Sequence, residues 1–148
     1  MSEELKKYYK EVQNYYKQQE KILDKKADIS KKEKEIMEKY REWYSTLEDL
    51  EKKKQEKEKL ENESINENDE VKRIKKENDL NNKRIKKGEE IRSREQKIKK
   101  IELDINKKNN EIEKIKLEIE KINSEKQRIF NDVSDIKPDG AIDLPKEL

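Results

Sequence analysis

No cysteine and no histidine occur in this chain, and the two absences together remove most of the chemistry a protein of its length could host. Without imidazole there is no general base near neutral pH and no ordinary transition-metal ligand; without thiolate there is no disulfide, no reactive nucleophile and no soft-metal site. Only two glycines are present, too few for a backbone cradle around phosphate. We therefore expect no enzyme, no cofactor and no bound metal. The spacing of Asp135, Asp139, Gly140 and Asp143 invites comparison with a calcium loop, but Lys137 and Lys146 stand where that loop needs oxygen ligands.

Apolar residues are scarce as well, at 28% of the chain against 51% charged, with one Phe and one Trp. A globular core of ordinary size cannot be filled from this stock, which leaves disorder or long helices that bury a narrow stripe. No stretch approaches the roughly 20 apolar residues of a membrane span, and residues 1–10 lack the apolar region of a secretion signal. We expect no membrane span and a soluble, cytoplasmic protein. Lys and Arg number 39 against 37 Asp and Glu, mixed at short range, as on a solvated helical surface.

Against these shortages stands one strong pattern. Alternate steps of three and four from Ile98 land on Ile101, Ile105, Lys108, Ile112, Ile115, Ile119, Ile122, Lys126, Ile129, Val133 and Ile136. This is a heptad seam with Ile98 at position a and Ile101 at d. Ile is stiff and a modest helix former, so its use here must be offset by burial. We read Ile98, Ile101, Ile105, Ile112, Ile115, Ile119, Ile122 and Ile129 as the helix-packing seam. Ile at both a and d favours more than two strands in parallel coiled coils, and Leu103 and Leu117, at the outer position f, offer a second contact face.

The first part of the chain carries a wider stripe. Tyr8, Tyr15, Ile22, Ile29, Ile36, Trp43 and Leu50 recur every seven residues at d, and Tyr9, Tyr16, Leu23, Ser30, Met37 and Tyr44 at e. Position a is apolar only at its ends, with Leu5, Val12, Gln19, Lys26, Glu33, Tyr40 and Leu47, the profile of a bundle helix. Seven of the eight aromatic residues lie here. Their first reading is packing, and their second is an aromatic platform for a partner at Tyr40, Trp43 and Tyr44.

The stripe lapses in EKKKQEKEK at 51–59 and in ENESINENDE at 61–70. Ser64 and Glu67 fit a capping box before the pattern resumes. We place a first helix at 1–61, a turn at 62–69, a second helix at 70–136 and a non-helical tail at 137–148, where Pro138, Gly140 and Pro145 cluster. KRIKK occurs twice, at 72–76 and 83–87, and puts Ile74, Asn78, Asn81 and Ile85 on one stripe, with the Asn pair as buried register markers. That stripe is out of phase with Ile91 and Ile98, which implies a slip near Gly88.

The fold class expected is all-α, with two architectures in competition, a parallel rod of one nearly continuous helix and, favoured over it, an antiparallel helical hairpin able to oligomerise further. A fold centred near residue 66 pairs residues whose numbers sum to about 132, laying Tyr40, Trp43 and Tyr44 near Gly88 and 5–12 near 119–130. The functional expectation is a non-enzymatic scaffold or adaptor with protein partners, including copies of itself. Candidate partner contacts are Tyr40, Trp43, Tyr44, Leu103, Leu117, Ile142 and Leu144, the last two on a tail dispensable for folding. Two other readings stand beside it, a helical-hairpin chaperone and a basic coiled coil. Residues 72–100 hold 13 Lys or Arg against five acids, but no aromatic to stack on bases, so nucleic acid is not the expected partner.

Overall fold

A computed structural model describes residues 2–143. It is an all-α helical hairpin: α1, Glu3–Asn62, and α2, Glu70–Ile136, pack against each other in antiparallel sense, with no strand among the described residues. At the start of α1 the Ser2 hydroxyl accepts the Leu5 N–H at 3.2 Å, ahead of Glu3 and Glu4, whose carboxylates suit the positive end of the helix dipole. The cap of α2 is Asp69, whose carboxylate accepts the Lys72 N–H at 3.1 Å. Ser64 and Glu67 form no capping box. Glu67 instead accepts from the Asp69 N–H at 3.4 Å and pairs with Lys76 at 2.8 Å. Beyond α2, Pro138 accepts the Ala141 N–H at 3.2 Å across a turn in which Gly140 has φ 79°, a conformation that favours glycine.

The chain divides into two compact units, 2–34 with 108–143, and Glu35–Lys107. In the first, Tyr8 and Tyr15 bury against Ile129 and Val133, with Tyr9, Val12, Phe130 and Ala141 packed around them. A second cluster joins Ile22, Ile115 and Ile119, with Ile29 and Ile122 at its edge. The polar interruption at Lys126 is absorbed: its ammonium donates to Gln19 Oε1 at 2.5 Å and sits 5.2 Å from the centre of the Tyr15 ring. In the second unit Ile36, Leu50, Leu80, Ile98, Ile101 and Ile105 are buried, together with Thr46. The Thr46 hydroxyl donates to the Glu42 carbonyl at 2.8 Å, which answers its buried polar group.

Within that second unit the seam of α2 runs without a slip. Steps of four and three lead from Leu80 through Arg84, Lys87, Ile91 and Arg94 to Ile98, all buried or half-buried. The other phase, Ile74, Asn78, Asn81 and Ile85, is exposed, so the two Asn residues are not buried register markers. Charged side chains fill the gaps in the true seam and hide it from a search for apolar periodicity. Gly88 lies in unbroken helix, and a Cβ there would meet only the Lys57 ammonium at 3.7 Å; it is neither a kink nor a point of close approach.

The register also differs from a fold centred on residue 66. Lys25 pairs with Glu118 at 2.5 Å and Lys32 with Glu111 at 3.1 Å in the first unit. In the second, Lys39 pairs with Asp104 at 3.8 Å, Asp49 with Arg94 at 2.5 Å, Lys53 with Glu90 at 3.4 Å and Glu56 with Lys87 at 2.7 Å. The numbers of each of these six pairs sum to 143, and only the looser Lys97–Glu42 contact at 4.0 Å departs from it among the ion pairs named between the helices. Trp43 accordingly meets Glu102, not Gly88. The physical reason lies at 63–69, which returns beside the opening turns of α2 through the Glu67–Lys76 pair. Arg84 closes the end of α1 there, donating to the carbonyls of Leu60 at 2.9 Å, Glu63 at 3.2 Å and Glu61 at 3.4 Å. Those carbonyls are among the last four of α1 or just beyond, which no helical N–H reaches.

Candidate functional site

Seven residues at heptad spacing distinguish the two flanks of α1 in the unit Glu35–Lys107. Around the helix, positions g, d, a and e follow one another at intervals of about 50°. Ile36 and Leu50 at d are buried and Trp43 is half-buried; at g, Thr46 is buried while Lys39 and Lys53 are half-buried and paired with acids of α2. The contact with α2 is therefore centred between d and g. Position a, which would complete an ordinary a/d core, is turned out: Tyr40 is 51% exposed and Leu47 38%, with Met37 and Tyr44 at e 59% and 62% exposed. One flank is closed by charge, and the other is open and apolar.

Trp43 forms the boundary between them. Its indole N–H donates to Glu102 Oε1 at 3.1 Å, and its ring meets Tyr44 edge-on, with centroids 6.0 Å apart. Beside it Tyr40, Trp43, Glu102, Ile105 and Asn106 line an open groove of about 280 Å³. Tyr40, Trp43 and Tyr44 are thus brought together, while Leu103 on α2 is exposed at its outer position. In the first unit Leu117 is exposed likewise, and Tyr16 and Leu23 are exposed at e. There Lys26 and Ser30 separate Leu23 from any longer apolar run.

Of the seam residues, Ile98, Ile101, Ile105, Ile112, Ile115, Ile119 and Ile129 are buried, and Ile122 is half-buried. The tail departs from a free extended strip. Tyr8 donates its hydroxyl to the Ile142 carbonyl at 2.6 Å, the Ile142 N–H donates to the Tyr9 hydroxyl at 3.2 Å, and Lys137 pairs with Asp143. Two tyrosines hold the backbone of Ile142 while its side chain stays 75% exposed. Burial pushes the Tyr8 hydroxyl above its usual pKa, so it is kept as a donor. Leu144 lies outside the described residues.

Charge is arranged largely in pairs, some of which line an open pocket of about 390 Å³ with Glu56, Lys87 and Glu90 in its wall. The hydrogen bond from Arg94 holds the Asp49 carboxyl below its usual range, Lys87 does the same for Glu56 and Glu90, and Lys25 for Glu118. Among the described residues no cluster of three acidic side chains has the arrangement of a metal site, and no helix is long and apolar enough to cross a membrane. Two features escaped the sequence reading, the Lys–acid pairs at g and the tyrosine clasp. The first was visible in principle, since Lys25, Lys32, Lys39 and Lys53 fall on one heptad stride of α1 and Glu90, Asp104, Glu111 and Glu118 on one stride of α2. The second has no local signal, because its partners are more than 130 residues apart. Set against known proteins, the chain matches no family model, no curated protein and no solved structure.

Proposed function

We propose that this protein is a non-enzymatic coiled-coil scaffold or adaptor that works through protein–protein contacts, with the open flank of α1 as its contact surface. The observation that carries the reading is the turning-out of Met37, Tyr40, Tyr44 and Leu47 while α2 occupies d and g. A chain this poor in apolar residues places four of them, two tyrosines among them, side by side in water. Single exposed apolar residues are ordinary, but a contiguous group at helical spacing is what an interface core needs. Tyrosine in particular supplies large contact area at small entropic cost.

The basic stretch gives less support to a nucleic-acid reading. Lys76 is engaged by Glu67, Arg84 by carbonyls, and Lys87 and Arg94 by acids of the same unit. Part of the local excess is thus answered within the fold. The test is proximity labelling in the source cells with the wild-type chain and a Tyr40→Glu/Tyr44→Glu variant at matched abundance. A defined set of neighbours lost from the variant, with its melting temperature unchanged, is the expected result. Identical neighbours for both chains would overturn the reading.

A further inference from the structure

The open flank has a two-fold pattern, and from it we infer that the occupant is a second copy of the same flank, bound antiparallel. This rests on the open flank being a contact surface and names its partner. Met37, Tyr40, Tyr44 and Leu47 follow one another at steps of three, four and three, so the row reads the same from either end. An antiparallel copy sets Met37 on Leu47 and Tyr40 on Tyr44, each contact made twice, as an isologous interface requires. The polar edge of the row, position b, carries Lys34, Arg41 and Glu48. In the same register Lys34 faces Glu48 of the other copy at both ends, and Arg41 faces its own counterpart at the centre. The Lys34–Glu48 pairs flank the apolar layers at each end, and Glu33 meeting Glu51 of the other copy just beyond them stops the contact there.

A parallel copy lacks that match. It would turn position b of one chain toward d of the other, and Ile36, Trp43 and Leu50 at d face α2 and offer no charge. The row also ends where it should: Glu33 and Lys54 occupy the next a positions, Ser30 and Glu51 the next e positions. Continuity with the α1–α2 contact is direct, because Trp43 borders both. Four apolar residues per copy make a small interface, so association is expected in the micromolar range and at the weak end for specific contacts.

The full chain provides its own probe, since it contains no cysteine and any introduced thiol is unique. Sedimentation equilibrium over a wide concentration range should show monomer and dimer, and Tyr44→Glu should weaken dimerisation about a hundredfold with an unchanged melting temperature. Met37→Glu is the second variant should Tyr44→Glu fail to fold. Arg41→Gln should strengthen the dimer several-fold, because only the antiparallel register sets Arg41 against itself. With a short bismaleimide, Arg41→Cys should link to itself; Lys34→Cys and Glu48→Cys should not, yet should link when mixed. A wild-type chain that stays monomeric throughout, a dimer indifferent to Tyr44→Glu, or Lys34→Cys linking to itself would overturn the inference. Those outcomes are read on pure protein, so the cellular neighbours of the Tyr40→Glu/Tyr44→Glu variant remain a separate test of the contact surface itself.

Discussion

In the unit formed by 2–34 and 108–143, facing positions are filled mostly by aromatic and β-branched side chains, Tyr8 and Tyr15 against Ile129 and Val133, then Ile22 against Ile115 and Ile119, with Lys126 against Gln19 between them. In the unit Glu35–Lys107, half of the α2 seam is charged, with Arg84, Lys87 and Arg94 between Leu80, Ile91 and Ile98. The two fillings do different work. Burying a Tyr or Ile contributes on the order of 1.5–3 kcal/mol, whereas an exposed ion pair contributes about 0–1 kcal/mol. The pairs act instead as a selector. Sliding the helices one heptad, to pairs summing to 136, would set Lys39 against Lys97 and Lys53 against Lys83 in this unit, while Lys25 and Lys32 of the other would still meet Glu111 and Asp104. Apolar contacts thus hold the hairpin closed, and in the unit Glu35–Lys107 charged contacts bias its register.

The comparison breaks most sharply at Ile119. Ile119→Asn puts an amide into the cluster with Ile22 and should cost about 3–5 kcal/mol in denaturant unfolding followed by circular dichroism, against less than about 0.5 kcal/mol for Lys54→Asn on the exposed face of the other unit. Equal midpoints would mean that the Ile seam is not a core. Ending the chain at Ile136 should come next, at about 2 kcal/mol, since it strips the buried Tyr8 hydroxyl of its acceptor and Ala141 from the cluster. Arg84→Ala should cost about 1 kcal/mol and open 60–69 to hydrogen exchange while leaving 2–34 protected.

Gly88→Ala is expected to stabilise by up to about 1 kcal/mol, because the helix is unbroken there and the added methyl meets ordinary contact. A loss would show that Lys57 cannot make room. Least sensitive of all is pH in the neutral range. Asp49, Glu56, Glu90 and Glu118 are held below their usual values by partner cations. Their contribution is complete above the unfolded carboxylate range, about 4, and is lost as pH falls through the lower folded values. The melting temperature should stay flat from pH 7 to about 5 and fall below pH 4; a fall beginning near pH 6 would refute this account.

Much of this was readable residue by residue. Ile98 to Val133 declared both helix and buried face, because a repeat of three and four admits no other regular structure. The lapse at 51–70 marked the end of one arm. What misled was the turn-side unit: Ile74 and Ile85 looked like a continuing stripe and are exposed, while Arg84, Lys87 and Arg94 looked like surface and lie on the seam. An apolar search assigns burial by residue type, and long cationic side chains reach acids from half-buried positions.

Length, charge balance and heptad spacing, all present in the sequence, determined that this chain forms two long helices with a narrow buried stripe. Those are local properties, fixed by the 3.6-residue turn and by the scarcity of apolar side chains. Only the tertiary structure decided which flank of α1 meets α2. Helix α1 can face α2 through d and a or through d and g, and the d and g contact is the one in which Lys25, Lys32, Lys39 and Lys53 find Glu118, Glu111, Asp104 and Glu90 on the other helix. Each set of charges keeps a heptad stride of its own in the sequence, but only the folded chain brings the two strides together, and with that pairing Met37, Tyr40, Tyr44 and Leu47 face outward.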